Sequence, residues 1–125
     1  MTGKTYFFDI DGTIVKALSY DDLEEYIKDP DFIQPLLPGV EQFFISLKEK
    51  DIVIFTTARP SIYREMTIRT LNYHNIDYKE LIMDLPSGER YLINDTCNFL
   101  YQKSIAINVL RDVGLGDTFI FDPEH

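Results

Sequence analysis

Two carboxylates separated by one isoleucine, Asp9-Ile10-Asp11, are followed at once by Gly12 and Thr13. The β-branched and aromatic run Thr5-Tyr6-Phe7-Phe8 leads into them. As the chain leaves an extended strand, side chains two positions apart point to the same side. Two carboxylates so close repel each other, which costs stability unless a cation lies between them or one keeps a proton. Their oxygens suit a hard cation such as Mg2+. Gly12 lets the chain turn sharply and lets its backbone approach a ligand closely. The chemistry this set permits is phosphoryl transfer. One carboxylate attacks phosphorus, the other moves the leaving-group proton, and a metal offsets the charge of phosphate.

Two further polar clusters end apolar runs. Ile52-Val53-Ile54-Phe55 stops at Thr56-Thr57-Ala58-Arg59-Pro60, and Tyr91-Leu92-Ile93 stops at Asn94-Asp95-Thr96. Ile105 to Val109 and Thr118 to Phe121 are weaker strand candidates. Continuous apolar runs without alternation suit strands buried on both faces, as in a parallel sheet. Between the first two runs, Val40, Phe43, Phe44 and Leu47 follow the spacing of an amphipathic helix. Ser61 can cap a second helix opening at Ile62, with Glu65, Arg69 and Asn72 on its polar side and Ile68 and Leu71 on its apolar side. Alternation of this kind predicts a single α/β domain over residues 1–125, with a mostly parallel central sheet and right-handed crossovers. Ligands of such sheets bind beyond the carboxyl ends of the strands, where all three polar clusters fall.

Composition narrows the classes. A net charge of −9 disfavours nucleic acid, whose backbone would be repelled. A single cysteine, Cys97, can form neither an internal disulfide nor a thiolate zinc site, and reads as a small packing residue. The sequence contains neither a basic-then-apolar leader nor an apolar run of about 18 residues, so a cytoplasmic setting without membrane contact is expected. Six acids between Asp21 and Asp31 stand against Lys28 alone, which concentrates the imbalance just after the first cluster. That segment could lie beside the mouth of a site and repel polyanions.

Asp9-Ile10-Asp11-Gly12-Thr13 resembles the first motif of the haloacid dehalogenase (HAD) superfamily of phosphotransferases. Ile52 to Thr57 resembles the second motif, a hydrophobic strand ending in Thr or Ser, and Thr57-Ala58-Arg59 is similar to the Thr-x-Arg of many members. Leu92-Ile93-Asn94-Asp95 resembles the fourth, with Asn in place of the first acid, and Pro38-Gly39-Val40 resembles the segment that precedes the second. The likeness runs from Lys4 to Val109. It implies a three-layer Rossmann-like fold and a Mg2+-dependent phosphomonoester hydrolase working through an aspartyl-phosphate. Asp9 would be the nucleophile and Asp11 the general acid, then the base. Thr57 would hold the phosphoryl group. Gly12 and Thr13 would border the substrate. Mg2+ would be held by the Asp9 carboxylate, the Asp11 carbonyl and Asp95, with Asn94 close by.

The family's third motif, a Lys or Arg, has no obvious counterpart. No Lys lies between Asp84 and Asp95, which leaves Arg90, with Lys79 as the alternative. Arg90 is favoured because a guanidinium can bridge carboxylate and phosphate. About 40 residues separate Thr13 from Thr57, and about as many separate Thr57 from Asp95, so a cap domain does not fit. The capless members resembled keep a site open to large substrates or closed by a neighbouring subunit, so a homo-oligomer is one expectation. The acidic balance favours a small phosphorylated metabolite such as a phosphosugar over polynucleotide. Protein phosphatase, transfer to a sugar hydroxyl, and a degenerate module that binds without turnover are the alternatives. Arg59, Arg64 and Lys16 are possible contacts for a second anionic group, and Asn108 and Arg111 could reach the site. His74, near the end of a helix, reads as a capping residue.

Overall fold

The computed structural model describes residues 3–96 and 103–116. Strand β1 (Thr5–Phe8) is followed by helix α1 (Tyr20–Tyr26), helix α2 (Val40–Ser46), strand β2 (Ile52–Thr56), a 3-10 turn (Ser61–Tyr63), helix α3 (Arg64–Tyr73) and strand β3 (Glu80–Ile82). The strands form one open parallel sheet in the order β1-β2-β3, so the architecture is α/β. Phe8 lies opposite Phe55, and Phe55 opposite Leu81. That register sets three apolar side chains in a row on one face, and all three are buried.

Helices α2 and α3 cover that row. Val40 and Phe43 of α2 and Leu71 of α3 belong to the same buried cluster as Phe8, Val53, Phe55 and Leu81. Phe43 meets Tyr6 and Phe8 edge-on, each at 5.1 Å between ring centres. Edge-to-face pairs of this kind add about 0.5–1.5 kcal/mol beyond burial. The strands advance in one direction along the sheet, so two right-handed crossovers put both helices on the same side. On the other face Phe7, Ile52 and Ile82 stay exposed, Phe7 at 53%. Among the described residues, then, the helices packed on the sheet lie on one face.

Two local expectations also change. The third strand is Glu80–Ile82 and not Tyr91 to Ile93. Glu80-Leu81-Ile82 is short, but it reaches the free edge of β2, and the pairing continues through the Thr57 amide to the Ile82 carbonyl at 2.9 Å. Tyr91, Leu92 and Ile93 pair with no strand and are exposed without regular structure. Residues 105–109 likewise form no strand. The strand candidate at 118–121, Cys97 and Tyr101 lie outside the described residues. The second change concerns Ser61, whose hydroxyl caps nothing. Its own amide instead donates to the Asp84 carboxylate at 2.8 Å, which orders the start of the turn from across the chain.

The acidic segment folds as α1. Ser19 caps it by accepting the Asp22 amide. Leu23 packs with Tyr63 and Met66 in a small second cluster, and the Tyr63 hydroxyl donates to Glu24 at 2.5 Å. This anchors α1 on the turn that follows β2, while its acids face solvent.

Candidate functional site

The turn after β1 is wound on one carbonyl. The amides of Thr13, Ile14 and Val15 all donate to the Ile10 oxygen, at 3.1, 3.0 and 3.3 Å, and the Gly12 amide donates to Val15. Closing so tight a ring requires φ = 82° at Gly12, a conformation that costs other residues about 1–2 kcal/mol. Ile10, Ile14 and Val15 turn inward and root the loop in the core. Asp9 and Asp11 remain at the surface, beside a cavity of about 120 Å3 lined by Asp9, Asp11, Gly12, Thr13, Val109 and Arg111. At roughly 30 Å3 per water it admits about four waters, or a group the size of phosphate.

The two carboxylates have different surroundings. Asp11 is held by Arg59: Nε donates to Oδ2 at 3.2 Å and Nη2 to Oδ1 at 2.6 Å. The Arg59 side chain is 1% exposed and that of Asp11 24%. Asp9 has no such clamp. Its nearest side-chain donor is the Thr13 hydroxyl, at a long 3.5 Å. Desolvation in the concave mouth raises the Asp9 carboxyl above its ordinary value, and the charge of Asp11 pushes the same way. The Ile10 amide, the charge of Arg90 and the Thr13 hydroxyl oppose the rise without cancelling it. Asp9 keeps an exposed face, so this is the partial desolvation of a mouth and not of a sealed interior. Paired carboxylates whose surroundings differ are suited to different roles in one reaction.

Arg59 was expected to be an anion contact or a surface residue, and it is neither. Besides Asp11, its guanidinium donates to Gln34 Oε1 at 3.0 Å and to Thr67 Oγ1 at 2.9 Å. Gln34 is itself buried, accepts His74 Nε2 on its carbonyl at 2.7 Å and donates its backbone amide to the Thr70 hydroxyl at 3.2 Å. Among the described residues no buried side-chain polar atom lacks a partner, so the network is satisfied. Arg59 therefore orients Asp11 and is not available to substrate. Thr57 is also placed differently from the expectation. Its side chain is buried, its hydroxyl accepts the Arg59 amide at 3.0 Å, and it does not line the cavity. It shapes the turn that delivers Arg59.

The remaining candidates separate. Arg90 is exposed, folds back onto the Gly88 carbonyl at 2.9 Å, and its charge acts on Asp9. Lys79 stands at the amino end of β3, where its amide donates to Val53, so it lies at the sheet edge opposite Asp9 and is removed from the site. Arg64 donates to the Leu81 carbonyl, and Lys16 and Asn108 line no part of the cavity. Asp95 pairs with Lys103 at 2.8 Å and Asn94 donates to Ser104 at 3.1 Å, both in the open. The Lys103 ammonium holds the Asp95 carboxyl below its ordinary value. Among the described residues no three His, Cys, Asp or Glu side chains gather closely enough to hold a metal ion. The expected Mg2+ donors, the Asp9 carboxylate, the Asp11 carbonyl and Asp95, are not gathered here, because Asp95 pairs with Lys103 in the open and lies outside the cavity lining.

Gln34, Thr67 and Asp112 carry no motif and were not singled out. Asp112 matters because it closes the cavity: its amide donates to the Gly12 carbonyl at 2.9 Å, and its carboxylate accepts the Ala17 amide at 2.7 Å. Nearby, the Leu115 amide donates to Pro38 at 2.9 Å, and Gly114 passes so close that a Cβ there would lie 2.2 Å from the Pro38 oxygen. The only sequence signal for this wall was Arg111, and it does reach the cavity. The sequence matches no family model, no curated protein and no solved structure. No helix among the described residues is long and apolar enough to cross a membrane.

Proposed function

We propose that the chain is a capless phosphomonoester hydrolase of the HAD type, cytoplasmic, acting on a small phosphorylated metabolite such as a phosphosugar. In this reading the α/β fold is the three-layer one of that family. The observation that carries it is the pair at the carboxyl end of β1. Asp9 is unclamped beside a phosphate-sized cavity, and Asp11 is fixed by a buried guanidinium two residues away. An Asp9 oxygen attacks phosphorus and the bond to the ester oxygen breaks. The departing alkoxide takes a proton that Asp11, held in place by Arg59, relays from solvent. Water then attacks the aspartyl-phosphate, returns a proton to solvent through Asp11, and releases inorganic phosphate and free Asp9. Arg90, whose charge reaches Asp9, is a local source of positive charge. Mg2+ enters as an assay variable, since no step here is routed through it.

A second reading, a module that binds a phosphorylated ligand without turnover, is favoured by the Asp95–Lys103 pair and the buried Thr57 hydroxyl. One experiment separates the two. Phosphate release from aryl phosphate, phosphosugar and nucleotide substrates is measured with and without Mg2+, beside Asp9→Asn. The hydrolase reading requires release by the wild type and its loss, by at least about a hundredfold, in Asp9→Asn. Ligand binding without release supports the module, and turnover untouched by Asp9→Asn removes Asp9 as the nucleophile.

A further inference from the structure

Arg111 lines the cavity that Asp9 borders. It is exposed, and among the described residues its guanidinium has no hydrogen-bond or ion-pair partner. The other arginines near the site are placed differently: Arg59 is buried on Asp11, Gln34 and Thr67, and Arg90, whose charge reaches Asp9, bonds the Gly88 carbonyl through Nη1 and does not line the cavity. Yet Arg111 is not loosely placed. Its stem lies over Gly12, where a Cβ would come within 3.1 Å of Cγ and 3.7 Å of Nη1. The next residue, Asp112, is tied by its backbone and its side chain to Gly12 and Ala17. The base of a free cation is thus fixed beside two carboxylates without pairing to either, which leaves its donors for a third party.

We infer that Arg111 is the residue that binds the anionic group of the ligand, holding a tetrahedral oxyanion in the cavity it shares with Asp9. This rests on the reading of the site as one for phosphoryl groups and names the residue that selects for them. A guanidinium presents adjacent N–H donors that match two oxygens of phosphate, whereas an ammonium acts as a point charge. An anion in the cavity meets repulsion from Asp9 and Asp11, so a cation lining the same cavity is what makes binding favourable there. Glycine at position 12 is what lets the arginine stem lie flat against the turn.

The test measures equilibrium binding of inorganic phosphate by calorimetry to the wild type, Arg111→Gln, Arg111→Lys and Lys28→Gln. Lys28 is an exposed cation on the segment after α1, and its removal changes the net charge by the same unit. Arg111→Gln should weaken phosphate binding at least tenfold, Arg111→Lys less, and Lys28→Gln not measurably. On a turned-over aryl phosphate, Arg111→Gln should raise KM about tenfold with a smaller change in kcat. Wild-type binding retained by Arg111→Gln, equal losses in Arg111→Gln and Lys28→Gln, or no phosphate binding by the wild type would each overturn the inference. If phosphate binds through Arg111 but no ester is hydrolysed, the inference stands and the hydrolase reading falls. If esters are hydrolysed equally well by Arg111→Gln, the reverse holds.

Discussion

Removing either partner of the Asp11–Arg59 pair should destabilise the fold, and unequally. Asp11→Ala leaves a guanidinium whose side chain is 1% exposed, still bonded to Gln34 and Thr67 but without a counter-charge. Breaking a buried pair this way costs about 3–5 kcal/mol. Arg59→Met leaves instead a carboxylate that is 24% exposed and can regain water on one side. It also leaves Gln34 Oε1 without its donor, while Thr67 Oγ1 can still donate to the Tyr63 carbonyl at 2.8 Å. Its cost should be smaller, about 2–3 kcal/mol, which is one strong charged hydrogen bond plus a lost neutral one. Both lie within the 5–15 kcal/mol, roughly, of a domain's stability, so the variants should remain measurable. Urea denaturation of Asp11→Ala, Arg59→Met and the double variant gives the coupling directly, expected at about 1–3 kcal/mol. A coupling near zero, or Arg59→Met costing more than Asp11→Ala, would refute the view that a buried guanidinium holds a half-open carboxylate.

Three further outcomes follow from the same geometry. The Asp9 carboxyl sits above its ordinary value of 3.8, so the folded state holds that proton more tightly and stability falls as pH rises through the raised value. Asp9→Asn should therefore raise Tm by up to a few degrees at neutral pH, with no gain below pH 3.8; a loss of Tm at neutral pH contradicts the burial argument. Asp51 accepts the amides of Lys4 and Lys48, both at 2.9 Å, and clips β1 to the loop before β2. Slight desolvation would push its carboxyl up, but those amides and the nearby lysine charges outweigh it and hold it below 3.8. Its contribution is therefore present above that value and lost as pH falls through the folded one. Asp51→Ala should cost about 1–2 kcal/mol at pH 7 in urea, with the gap closing in acid. Gly114→Ala places a Cβ against the Pro38 carbonyl at a φ of 98°. It should cost at least about 1–2 kcal/mol and weaken phosphate binding, while far-ultraviolet circular dichroism stays that of the wild type.

The elements that could be read from sequence are those whose signal is local. β1 and β2 are apolar runs, and α2 shows its 3.6 period in Val40, Phe43, Phe44 and Leu47. The turn at Asp9 to Thr13 was legible because each residue type is demanded by its own position. What escaped was set by partners far along the chain. β3 has three residues, and it is a strand because the edge of β2 lies beside it. Tyr91 to Ile93 has the better composition but pairs with no strand and stays exposed. Arg59 carries the same side chain whether buried or exposed, and only Asp11, Gln34 and Thr67 decide which. The expected donors Asn94 and Asp95 found Ser104 and Lys103 within their own neighbourhood, a choice that composition does not disclose.

The way the cavity closes has a consequence in time. The tie between Ala17 and Asp112 spans 95 positions, whereas the ring on the Ile10 carbonyl spans a handful. Closing so long a loop costs about 2 kcal/mol more than closing one of roughly a dozen residues. Contacts of this range form slowly and reopen early. During refolding the first turn and the sheet can therefore stand before there is anywhere for an anion to sit. A binding signal should lag the helical signal, and the gap between the two clocks measures how long Asp9 waits for Arg111.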